Sequence, residues 1–228
     1  VHKKFDFEKY RGPGQAMALR SVLHMPKDKT LLVILPTGEG KSLLYQALAV
    51  QESYKTIAVV VPTVALAYDQ ENNLPEIEEL KTQNNHAYIG GRDEENASIL
   101  TSIPTGEQGL LFAAPEALVG SLRNPLVKAA KNGNLGAIVV DEAHLVYAWG
   151  SDFRSDYQKL AALVSELRSK APEGKKPKII CLSATVDAES FETLNSLFSN
   201  ENYPISIISS ARLRHELDIW FTSTVSPE

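Results

Sequence analysis

Eight consecutive residues, Leu35-Pro36-Thr37-Gly38-Glu39-Gly40-Lys41-Ser42, have the types and spacing needed to hold a polyphosphate. Glycines at 38 and 40 let the backbone curl until successive N–H groups point inward, and a helix opening at Ser42 adds the partial positive charge of its N-terminus. Lys41 is then placed to reach the β- and γ-phosphates of ATP, and the Ser42 hydroxyl to ligate Mg²⁺. Thr37, Gly38, Glu39, Gly40, Lys41 and Ser42 are the expected nucleotide contacts. The competing reading is a glycine-rich turn carrying a solvated lysine. A strand-like run before the loop and a helical pattern after it favour the phosphate loop, or P-loop.

A second cluster supplies the acidic partner. Ile138-Val139-Val140 runs into Asp141-Glu142-Ala143-His144. Asp141 would hold Mg²⁺, directly or through water, while Glu142 would orient and deprotonate the attacking water. An isolated Asp-Glu after a strand is more often a helix N-cap, because carboxylates satisfy free N–H groups there. With a phosphate loop in the same chain, the two clusters read together as a phosphoryl-transfer site.

These residues need a scaffold, and the apolar pattern describes one. Short aliphatic runs recur at Leu31 to Leu35, Ile57 to Val61, Leu110 to Ala114, Ala137 to Val140, Ile179 to Leu182 and Ile205 to Ile208. Runs of this kind are strands covered on both faces. Helical patterns fall at about 15–24, 42–53, 64–80, 156–170 and 188–198, with loops at Asn84-Asn85, Gly90-Gly91, Asn132-Gly133-Asn134 and Pro172 to Pro177. The alternation predicts an α/β domain of three layers with a mostly parallel central sheet, here over residues 1–210, followed by a linker or tail over 211–228. Each polar cluster follows an apolar run, so all fall at the carboxyl edge where open α/β sheets keep their ligand crevice.

Composition narrows the function classes. The 228 residues are 43% hydrophobic and 22% charged, with no apolar stretch near the roughly twenty residues of a membrane span. A net charge of −5 argues against gripping polyanions with the whole surface, so any nucleic-acid contact is local. The single Cys181 cannot close an internal disulfide, no Cys/His spacing suits zinc, and the segment after Val1 lacks a secretory signal's apolar centre. A cytoplasmic fragment of a longer protein is the expectation.

Beyond the two clusters, Trp149-Gly150, Asp152-Phe153-Arg154 and Tyr157 follow the acidic box. With Asp141-Glu142-Ala143-His144 they resemble the DEAH box and aromatic-rich loop of RecQ-like superfamily-two helicases. The resemblance covers nearly the whole chain and implies the first RecA-like lobe of a P-loop NTPase motor. It implies an adenine contact for Gln15 in Pro13-Gly14-Gln15, although Arg11-Gly12 stand where the family has an aromatic residue and an arginine. It implies DNA-tracking loops at Val61-Pro62-Thr63 with Gln70, and at Ala114-Pro115-Glu116, where Ala117 replaces a common arginine. Ser183-Ala184-Thr185 is similar to the motif that relays nucleotide state to nucleic acid, and His144 would bridge to it.

Trp149 and Phe153 offer faces for unpaired bases, worth roughly 1–3 kcal/mol each, with Arg154 as a neighbouring cation. On spacing alone these aromatics read rather as core; the matched order favours base contacts for Trp149 and Arg154 and leaves Tyr157 in the core. The implied activity is ATP-driven 3′-5′ translocation or unwinding on single-stranded or forked DNA. Partners would be that DNA and a second RecA-like lobe carrying the arginine finger. An ATP-dependent clamp without unwinding and a P-loop metabolic kinase are the competing classes.

Overall fold

The computed structural model describes residues 5, 10–27, 29–148 and 151–210, with residues 151–154 described as backbone alone. In chain order the elements are α1 (Pro13–His24), β1 (Thr30–Ile34), α2 (Ser42–Gln51), β2 (Thr56–Val60), α3 (Val64–Asn72), α4 (Glu78–Lys81) and β3 (Asn84–Ala87). There follow α5 (Asp93–Thr105), β4 (Gln108–Ala113), α6 (Pro115–Val119), α7 (Arg123–Asn132) and β5 (Leu135–Val140). The last are α8 (Leu145–Ala148), α9 (Ser151–Lys170), β6 (Lys178–Ser183), α10 (Ala188–Phe198) and β7 (Ile205–Ser209).

The seven strands form one sheet in the order β3-β4-β2-β5-β6-β1-β7, and every pairing is parallel. Parallel strands need crossovers, and helices on both faces supply them. Every residue of β2, β4, β5 and β6 is buried, as the unbroken aliphatic runs require. One apolar layer packs α1 and α2 against the sheet through Leu19, Leu44 and Leu48. The other packs α5, α7 and α9 through Ile99, Leu126, Tyr157 and Leu160.

Two expectations are corrected. The single helix read over 64–80 is two, because Pro75 has no N–H to continue the ladder after α3. Asn84-Asn85, read as a loop, begins β3. There the Asn85 side chain replaces ladder bonds at a register shift: its Nδ2 donates to Leu80 O at 2.5 Å and its Oδ1 accepts from Leu110 N–H at 2.6 Å. Among the described residues no helix is long and apolar enough to cross a membrane.

Candidate functional site

Parallel strands bring every implicated loop to one edge. Along it the sheet order places Ala114-Pro115-Glu116 after β4, Val61-Pro62-Thr63 after β2, the acidic box after β5, Ser183 at the end of β6 and the glycine loop after β1. The acidic box therefore stands between the phosphate loop and the two loops assigned to nucleic acid.

The glycine loop is shaped as its residues predict. Gly38 and Gly40 adopt φ of 84° and 79°, in the left-handed region that side chains avoid. At Gly40 a Cβ would also lie 2.3 Å from Gln15 Nε2, so glycine is required twice over. Leu35 N–H donates to Ser183 O at 3.0 Å, fixing the loop to the end of β6. Gln15 is buried, and both ends of its amide are engaged: Oε1 accepts from Arg11 N–H and Nε2 donates to Glu39 O, each at 2.9 Å. The residue assigned to adenine thus also ties α1 to the phosphate loop. Arg11, left without a role by sequence reasoning, donates through its guanidinium to Gly38 O on the same loop.

The acidic box is pinned from both sides. Asp141 N–H donates to Val60 O of β2 at 2.9 Å, and Ala143 N–H to Leu182 O of β6 at 2.8 Å. Between them Glu142 is held at φ 47°, a left-handed conformation costly to a residue with a side chain. Its carboxylate lies 3.3 Å from Lys41 Nζ through Oε1 and 3.5 Å from His144 Nδ1 through Oε2. His144 Nδ1 meets Ser183 Oγ at 3.0 Å, and that hydroxyl donates to Thr185 O at 2.6 Å. A polar chain therefore runs from Lys41 through Glu142 and His144 to Ser183 and Thr185.

Two features mark this site as prepared for charged ligands. Lys41 Nζ is buried, and its ion pair with Glu142 lacks hydrogen-bond alignment, so its donors are unspent. Burial, and secondarily the neighbouring Glu142, push the Asp141 carboxyl up to about 6. Both conditions suit a phosphate oxygen at Lys41 and a cation at Asp141.

A buried link was missed in the sequence. Tyr45, fully buried on α2 and edge-on to Phe112 at 5.9 Å, donates to Gln70 Oε1 of α3 at 2.5 Å. Gln70, assigned to nucleic acid, thus turns its amide oxygen toward the phosphate-loop helix. A contact between residues 25 positions apart leaves no local pattern in the sequence. In the loop after β2, Pro62 is buried and Thr63 caps α3 by accepting from Leu66 N–H at 3.3 Å. In the loop after β4, Pro115 is buried and Glu116 is exposed. Arg92 is committed to Glu71 at 2.7 Å, and lies over the Tyr68 ring. Trp149 and the side chains of Phe153 and Arg154 lie outside the described residues, as do Arg212 and Arg214.

With this geometry in place, the DEAD/DEAH box helicase pattern matches residues 12–194. The chain belongs to the DEAD/DEAH box helicase family. This domain is 36% identical over 169 residues to the rat protein named ATP-dependent DNA helicase Q5, and 29% identical over 245 residues to ATP-dependent DNA helicase RecQ of Bacillus subtilis. Those matches take in 73% and 96% of the chain but 17% and 38% of the relatives. In fold it resembles the DUF1998 helicase MrfA, with a TM-score of 0.68 at 22% identity over 91% of this chain and 31% of that one. Family and cradle together make this an ATP-binding domain.

Proposed function

We propose that the domain is the first motor lobe of a RecQ-like DNA helicase, coupling ATP hydrolysis to 3′-5′ movement along single-stranded or forked DNA. The observation that carries this reading is the polar chain Lys41, Glu142, His144, Ser183, which joins the phosphate loop through the acidic box to the end of β6. The relatives' names supply the choice of DNA.

Lys41 and the loop N–H groups would bind the triphosphate, and Gln15 would read adenine on the face opposite its bond to Glu39. Ser42 and Asp141 would hold Mg²⁺, which when bound supplies positive charge against the phosphate oxygens. Glu142 acts as general base on the attacking water once Lys41 turns from it to phosphate. Trp149, Phe153 and Arg154 contact the DNA, and a second RecA-like lobe of the same polypeptide contributes the transition-state arginine. A reducing, cytoplasmic setting suits the lone Cys181, buried in β6 with its thiol pushed up by desolvation.

The test uses the whole protein. Lys41→Ala abolishes nucleotide binding, whereas Glu142→Gln keeps binding and loses DNA-stimulated hydrolysis and strand separation. Full turnover in the glutamine variant removes Glu142 as the base. Nucleotide-dependent DNA retention without strand separation in the parent protein replaces the motor by a clamp.

A further inference from the structure

At the side of the sheet farthest from β3, strand β7 has an outer ladder that no described strand pairs with. Thr30 N–H donates to Pro204 O at 3.1 Å and Ser210 N–H to Ile34 O at 2.9 Å, within a register running from Thr30↔Ile205 to Ile34↔Ser209. The backbone groups of Ser206 and Ile208 therefore face β1. By alternation those of Ile205, Ile207 and Ser209 face away, and among the described strands β7 pairs with β1 alone.

Exposed edges are ordinarily blunted by charge, proline or a bulge. Ile205-Ser206-Ile207-Ile208-Ser209 contains none of these, and Ile207 is 51% exposed. Beside this edge a cavity of about 460 Å³ opens between the second half of α1 and β7. Its floor includes the apolar Leu31 and Ile208; its rim carries Arg20, His24 and Lys29, and among the described residues no acidic side chain lines it. In a chain of net charge −5 this local excess of cations selects an anionic ligand. Among the described residues the His24 imidazole is the one aromatic ring lining the cavity, and no Phe, Tyr or Trp joins it to make a stacking platform for a nucleobase. An apolar floor adds nothing to the binding of inorganic phosphate. The features that remain, open backbone groups, an apolar slot and a cationic rim, fit a peptide.

We propose that β7 and this cavity form a docking site for an extended acidic segment of a partner protein. The segment adds a strand beside β7, drops an apolar side chain into the cavity and sets carboxylates against Arg20 and Lys29. The cavity lies where β1 begins, whereas the nucleotide loop follows the other end of that strand. Docking therefore leaves the motor loops open and does not depend on which nucleic acid they track.

The probe is a short fluorescent peptide of alternating Glu and Val, titrated against the whole protein by anisotropy. Its controls are the corresponding Lys/Val peptide and a single-stranded oligonucleotide. Ile207→Pro removes one outward N–H while leaving the β1–β7 bonds, and the Arg20→Glu/Lys29→Glu pair reverses the rim. Each is expected to weaken binding of the Glu/Val peptide by roughly tenfold or more, with circular dichroism and nucleotide binding unchanged. Ile207→Glu, a like-charge change on an exposed side chain, replaces the proline variant should that one misfold.

Absence of Glu/Val binding, binding that survives both variants, or preference for the Lys/Val peptide overturns the proposal. So does a rim-dependent preference for the oligonucleotide. A concentration-dependent dimer abolished by Ile207→Pro also overturns it, making a second copy of the chain the occupant.

Discussion

At the scale of single residues, the site holds its groups in states that only a ligand relieves. The Asp141 carboxyl, ordinarily near 3.8, is raised by burial to about 6, so the folded protein favours its protonated form. A group raised in this way binds protons more tightly when folded, and the apo domain therefore loses stability as pH rises from about 4 to about 6. Asp141→Asn keeps an oxygen to accept from Glu142 N–H, as Asp141 Oδ1 does at 2.9 Å, without carrying charge. At pH 7.5 it should stabilise the apo domain by on the order of 1–3 kcal/mol, seen as a melting temperature several degrees higher. The gain should vanish below about pH 4, where both side chains are neutral; a pH-independent gain would point to packing instead. The glycine loop and the acidic box were legible because their chemistry tolerates few residue types. Arg11 was not, because a guanidinium bonding a loop carbonyl leaves no pattern in neighbouring residues.

At the scale of elements, Tyr45 joins α2 to α3. From the phosphate-loop helix its hydroxyl donates to Gln70 on the helix capped by Thr63. Tyr45→Phe keeps the ring against Phe112 and removes that connection alone. In the whole protein it should lower stability by about 1–2 kcal/mol, because Gln70 Oε1 is left without its donor. The ratio of DNA-stimulated to DNA-free hydrolysis should fall several-fold. An unchanged ratio in steady-state assays would reduce Tyr45 to a packing residue. Five of the six strands with aliphatic runs were readable because burial on both faces imposes such runs, whereas β7 carries its run with no fully buried residue. By contrast, β3 is polar and held by an asparagine side chain. α5 was hidden because its sequence carries three acidic residues and Pro104, and its signal lies in the left-handed Gly106 that ends it.

At the scale of the whole molecule, the domain sets Lys41 beside Glu142, and the proposed motor takes its transition-state charge from a second lobe. An arginine supplied by a second lobe is worth roughly 10³–10⁵ in rate. The isolated chain should therefore bind ATP weakly and turn it over very slowly, with or without DNA, in a coupled phosphate-release assay. Robust DNA-stimulated turnover by the isolated chain would refute dependence on a second lobe.

The two amide bonds that pin the acidic box, one to β2 and one to β6, make Glu142 the fulcrum of the sheet. Strands on its β6 side carry the phosphate loop, and strands on its β2 side carry the loops assigned to the track. Because β5 is laddered to β2 on one side and β6 on the other, a slip of either half would be felt at the residue between the pins. A displacement too small to disturb the core would then re-aim the carboxylate proposed as the base.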